Sequence, residues 1–290
     1  MPTIDVLDSA MYYEELHPRE AATFVFLHGN PTSSHLWRGV LPRIAGPARV
    51  LAPDLIGMGR SGKPGGEYRF EDHARYLDAW FEVMGLDEVV LVGQDWGGAL
   101  AFDWAARHPG RVRGIAFMET ILRPMTWEEF PAAARARFEA LRTAGVGEEM
   151  VLDRNVFIED GLRQTVMHPM DAADRAVYAA PYPTPESRLP MLQWARSMPV
   201  GGGPAEVVAR IGAYGDWLAG SSGVPKLLLT FEGSPTLMVG EGLAAWCEGN
   251  VAALEREYCG VAGHLAPEDR PVEIAAAVSA WAARHGLGSA

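Results

Sequence analysis

Residues 89–109 read VVLVGQDWGGALAFDWAARHP: an apolar run, a glycine-flanked polar pair, then an alanine-rich stretch. Val89–Val92 carry only aliphatic side chains, as expected of a strand buried on both faces. GALAFDWAARHPG reads as a helix ended by Pro109 and Gly110. A strand that becomes a helix across Gly93-Gln94-Asp95-Trp96-Gly97-Gly98 puts Asp95 at the turn. Glycines on both sides suit a crowded, strained backbone, and the spacing is that of a G-x-S-x-G nucleophile elbow with Asp in place of Ser. The competing reading makes Asp95 a helix N-cap.

Outward from this stretch, further apolar runs occur at 22–29, 48–55, 87–94, 111–120, 225–233 and 254–261, each short and rich in aliphatic residues. Between the second and third, Phe70, Ala74, Leu77, Trp80 and Phe81 recur at helical spacing. Helices are also expected around 243–249 and 271–286. Strands alternating with helices predict a mostly parallel sheet covered on both faces. From about Leu122 to about Leu218 the alternation stops, and proline-punctuated helical segments imply an insertion. The expected division is therefore a core over 1–121, a helical cap over 122–218 and the rest of the core over 219–290.

Composition narrows the function. The chain has 290 residues, 48% hydrophobic, enough for a large core, and a formal charge of −12 that offers no basic patch to nucleic acid or anionic lipid. Cys247 and Cys259 lack a CxxC spacing, and no histidine pattern suggests a metal site, so no cofactor is expected. The N-terminus lacks a secretion-signal pattern and no apolar stretch is long enough to span a bilayer. A cytoplasmic protein, monomer or small homo-oligomer, is the expectation.

In parallel sheets, chemistry gathers at the carboxyl ends of the strands. Those ends carry His28-Gly29-Asn30-Pro31, Asp95-Trp96, Glu119, Glu232 and His264. An Asp nucleophile can displace a leaving group from an sp³ carbon, forming an ester that water then cleaves with help from a base. His264, in the loop GVAGHLAPEDRP (260–271), stands where a triad histidine falls in this chain order. Its orienting carboxylate is Glu119 or, in reserve, Glu232.

Taken together, H-G-N-P, G-x-D-W-G-G, M-E at 118–119 and G-H-x-x-x-E-D-x-P resemble the haloalkane dehalogenases of the α/β-hydrolase fold, in the subgroup with Glu after the sixth strand. FEALRTAGVGEEMVLDRNVFIE (138–159) is similar to the start of that family's cap. The resemblance implies an eight-stranded, mostly parallel sheet with a helical cap after the sixth strand. It implies Asp95 as nucleophile, His264 as base, Glu119 as supporting acid, and Asn30 and Trp96 as halide-binding residues. By the same resemblance the apolar pocket or tunnel includes Trp37, Phe157, Gly161, Thr165, Leu237, Met238 and Leu265, and the small Gly161 and Thr165 imply a fairly open tunnel. Substrate, water and halide are then the only partners. The chain departs from the usual family form at Gln94, at LAPED after the histidine and in FEGSPTLMVG.

Two rival functions share these residues. An epoxide hydrolase would use the same Asp and His with acid donors from the insertion, where Tyr178, Tyr182 and Tyr214 are available. A noncatalytic ligand-binding relative would usually lack a triad member, and none is missing. An oxygen-chemistry luciferase on this scaffold is a further alternative.

Overall fold

The computed structural model describes residues 2–20 and 22–288. Eight strands form one sheet: β1 (Thr3–Val6), β2 (Ser9–Leu16), β3 (Ala22–Leu27), β4 (Ala48–Pro53), β5 (Val89–Asp95), β6 (Val112–Thr120), β7 (Lys226–Gly233) and β8 (Leu254–Ala262). Their order across the sheet is β1-β2-β4-β3-β5-β6-β7-β8. The β1–β2 and β2–β4 pairs are antiparallel, and every pair from β4 to β8 is parallel.

The two faces are covered because the parallel strands are apolar on both sides. β3 and β5 are buried along their whole lengths, and the apolar residues sort into two large clusters. The first helix, α1 (Phe70–Val83), turns Phe70, Ala74, Leu77, Trp80 and Phe81 inward, all fully or nearly fully buried. The next, α2 (Trp96–Arg107), stacks Trp104 on Phe81 at 4.2 Å between ring centres, an aromatic contact of roughly 1 kcal/mol beyond its buried area.

Between β6 and β7 the described residues form no strand, only isolated bridges of Val200 with Met125 and Gly203. This segment holds α3 (Ala132–Arg142), π-helical turns at Glu149–Asp153 and Phe157–Gly161, α4 (Ala172–Ala179), α5 (Leu189–Ser197) and α6 (Ala205–Gly220). The core resumes with α7 (Glu241–Asn250) and ends with α8 (Pro271–Arg284). Among the described residues no helix is long and apolar enough to cross a membrane. Both cysteines are buried and free.

Chain order in the sheet reverses at β3: the connection leaving β3 goes to β4 on one side, and β4 leads back to β5 on the other. A crevice opens at the carboxyl ends of strands where such a reversal occurs. Here those ends carry Gly29-Asn30 and Asp95, and the inserted helices lie over them.

Candidate active site

Asp95 closes β5 with φ +54° and ψ −129°, a conformation rare for a residue bearing a side chain. Two neighbours hold that strained turn. The Thr120 hydroxyl donates to Asp95 O at 2.6 Å. Gly97 lets α2 approach β3, since a Cβ there would stand 2.1 Å from Leu27 O. The Asp95 carboxylate makes no capping bond to α2. It turns outward instead, where Oδ1 accepts the Asn30 backbone N–H at 2.8 Å and Oδ2 lies 3.4 Å from His264 Nε2. A Cβ on Gly29 would lie 2.1 Å from Asp95 Oδ1, so only glycine leaves room for the carboxylate there.

His264 follows β8 and is buried. Its Nδ1 lies 3.0 Å from Glu119 Oε2. Glu119, at φ +46° near the end of β6, also accepts the backbone N–H groups of Met238 at 2.8 Å and Val239 at 3.1 Å. The loop after β7 thus supplies two donors that hold the carboxylate in place. Glu232 stands apart: its side chain accepts from Tyr258 at 2.6 Å on the exposed end of β7. Gln94 adds a brace, its Nε2 donating to His264 O at 2.9 Å. His28 braces the facing loop, its Nε2 accepting the Leu55 N–H at 2.9 Å and its Nδ1 meeting Gly29 O at 3.0 Å.

The electrostatics follow from this placement. Burial alone would lower the His264 pKa, but hydrogen bonds and charge from Asp95 and Glu119 more than reverse it and raise it to about 10. This placement favours the cationic imidazole at neutral pH. His28, wholly buried, has its pKa lowered chiefly by desolvation.

A cavity of about 130 Å³ opens over these residues, lined at its inner end by Asn30, Asp95, Trp96 and His264. Phe157, Gly161, Thr165, Met238 and Leu265 also line it. Trp37 and Leu237 do not. Trp37 ends a short 3₁₀ turn that folds back beneath the sheet, where its ring meets Phe26 edge-on at 5.2 Å and is fully buried. Leu237 packs toward the core while its neighbours Thr236 and Met238 face the cavity. Sequence reading missed the wall formed by Phe130, Ala134, Arg137, Phe138, Ala195 and Met198. Its only sequence signal was the helical spacing of Ala134, Arg137 and Phe138. Gly161 lines the cavity with Arg137 beside it, the Nη2 lying 3.4 Å from where a Cβ would sit.

At the inner end, Trp96 and Asn30 both line the cavity. Trp96 stacks on Trp194 at 4.6 Å. Asn30 Nδ2 has only a long contact of 3.4 Å to Met191 O. The tyrosines required for epoxide opening are elsewhere: the Tyr178 hydroxyl bonds Glu268 at 2.5 Å, Tyr214 bonds Ile121 O at 2.6 Å, and Tyr182 is buried away from the lining.

A family model described as the α/β hydrolase fold matches residues 22–203. A haloalkane dehalogenase of Mesorhizobium japonicum is 46% identical over 280 residues, covering 96% of this chain and 89% of that protein. One from Sphingobium indicum is 44% identical over 266 residues, covering 90% of this chain and 88% of its own length. Among solved structures, the haloalkane dehalogenase DbeA from Bradyrhizobium elkani superposes with a TM-score of 0.94 at 43% identity, covering 99% of both chains.

Proposed function

The chain belongs to the haloalkane dehalogenases of the α/β-hydrolase fold and hydrolyses carbon–halogen bonds to alcohol, halide and a proton; from that premise we propose how its own residues divide the work. Asp95 is the nucleophile, and the observation that carries this is the direction of its carboxylate. It faces the cavity and His264 rather than capping α2.

Asp95 Oδ2 attacks the halogen-bearing carbon, and the carbon–halogen bond breaks as the alkyl–aspartate ester forms. Charge moves from the carboxylate to the departing halide. The Trp96 indole N–H and the Asn30 carboxamide receive it. Halide needs no proton, so no acid is required at the leaving group.

Esterification also changes His264. The ester is neutral, so one of the two anions that held the imidazole pKa near 10 is gone. His264 then gives up its proton to solvent and becomes the base that the second step needs. It takes a proton from water, the resulting hydroxide attacks the ester carbonyl, and alcohol leaves as Asp95 and the imidazolium are restored. Asp95 Oδ1, already held by the Asn30 backbone N–H at 2.8 Å, carries the developing negative charge, with the Trp96 backbone N–H as the second donor. Glu119 is a positioning residue that holds the imidazole ring and its Nδ1 proton.

The helices of 122–218 serve as the cap, gathering an apolar substrate that offers little else to grip. Cytoplasmic residence and a monomeric or small homo-oligomeric state complete the reading. Its test is bromide release from 1-bromobutane by the wild type and by Asp95→Ala. Turnover by the wild type and none by a folded Asp95→Ala supports the assignment; appreciable turnover by the variant removes Asp95 from the nucleophile role.

A further inference from the structure

Of the residues lining the cavity, the charged ones are Asp95, His264 and Arg137. The first two belong to the catalytic end. Arg137 projects from α3 beside Gln164 and Ala133, which are exposed at the outer end. Its Nη1 donates to Gln164 Oε1 at 3.0 Å and its Nη2 to Val156 O at 2.9 Å, with Cζ 5.3 Å from the centre of the Phe157 ring. Gly161 leaves room beside the guanidinium: a Cβ there would already lie 3.4 Å from Arg137 Nη2.

Arg137 has no carboxylate within ion-pair distance among the described residues, whereas Arg38, Arg107 and Arg210 each hold one. Asp160, the acid that influences it, is half-buried and directed toward Arg163 at 3.8 Å. Burial lowers the Arg137 pKa, as expected of a cation with no anion beside it, yet a guanidinium stays charged. A half-buried, unpaired cation is costly in an apolar wall. Two of its five N–H groups are used, and the remainder suit a planar oxyanion.

We propose that Arg137 is a specificity-determining residue that receives an anionic tail, so that the substrates include ω-haloalkanoates, with halogen at one end and carboxylate at the other. The halogen end lies against Asp95, Trp96 and Asn30, and the carboxylate reaches the guanidinium at the mouth. In a wholly apolar tunnel such a tail would be rejected, because its desolvation would have no compensation. The chemistry is unchanged: the carbon–bromine bond breaks, the Asp95 ester forms, and water releases the ω-hydroxyalkanoate and bromide. This inference rests on the catalytic assignment above.

The test compares kcat/KM for 6-bromohexanoate with that for 1-bromohexane, in the wild type, Arg137→Gln and Arg137→Lys. Only the ratio of the two is read, so losses common to both substrates cancel. The wild type is expected to use the bromoalkanoate at least as well as the bromoalkane. Arg137→Gln should lower the ratio about tenfold or more, the scale of one charge-assisted contact, and Arg137→Lys should restore part of it. Should Arg137→Gln not fold, Gly161→Val displaces the guanidinium and is expected to lower the ratio likewise. A ratio unchanged by these substitutions would overturn the proposal. So would a change confined to product inhibition by bromide, which would make the released halide, and not a substrate tail, the anion that Arg137 serves. Bromide from 1-bromohexane alone leaves the catalytic assignment standing while this inference fails; bromide from neither substrate takes down both.

Discussion

His264 Nδ1 lies 3.0 Å from Glu119 Oε2, and Glu119 is itself held by the Met238 and Val239 N–H groups. The imidazole proposed as the base is therefore oriented from behind by a carboxylate held at both oxygens. Glu119→Gln removes the charge and leaves the shape. Halide release in the first turnover should survive, while steady-state turnover falls about a hundredfold or more because the ester step lacks its oriented base. Rapid-quench measurement of bromide separates the two phases. Equal loss in both would assign Glu119 a merely structural role.

The imidazole titration offers an independent check. Asp95→Asn imitates the neutral ester and should bring the His264 pKa down from about 10 toward its ordinary value of 6.5, read by NMR of the ring nitrogens. Stability follows the same proton. Because the folded pKa is the higher one, the contribution is fully present below pH 6.5 and is lost as pH rises through about 10. In Asp95→Asn the loss should occur at lower pH, visible in the pH dependence of Tm.

Halide binding should depend on the Trp96 N–H. Trp96→Phe keeps an aromatic ring against Trp194, which stacks on it at 4.6 Å, and removes the donor along with part of the ring. The bromide Kd, measured by calorimetry, should rise about tenfold. An unchanged Kd would leave Asn30 as the main donor.

Gly97 is where the elbow meets β3. Gly97→Ala places a methyl 2.1 Å from Leu27 O, a contact that neither backbone can absorb without moving. A loss of about 2 kcal/mol is expected in denaturant midpoint, with activity falling further as Asp95 shifts. A variant as stable as the wild type would mean the α2–β3 contact yields freely.

Much of this was legible in the residues, and the reasons differ by site. Asp95, Glu119 and His264 stand at ends of apolar runs, so a parallel sheet carries them to one edge whatever the details of packing. β1 and β2 were not read from the local pattern, because TIDV and SAMYYEEL are short and partly exposed and lack a continuous apolar signal. Trp37 and Leu237 were misplaced for a common reason. Both adjoin cavity-lining loops, but the direction of a loop side chain depends on turn geometry that spacing does not encode. Arg137 escaped notice because only the docking of α3 decides which of its arginines faces inward.

The covalent ester proposed on Asp95 is the centre of the mechanism, and its test is direct. His264→Phe retains the nucleophile and removes the base, so incubation with 1-bromohexane should leave a hexyl group on the peptide containing Asp95, detected by mass spectrometry after digestion. An unmodified Asp95 in a folded variant, under conditions where the wild type releases bromide, would contradict the two-step account.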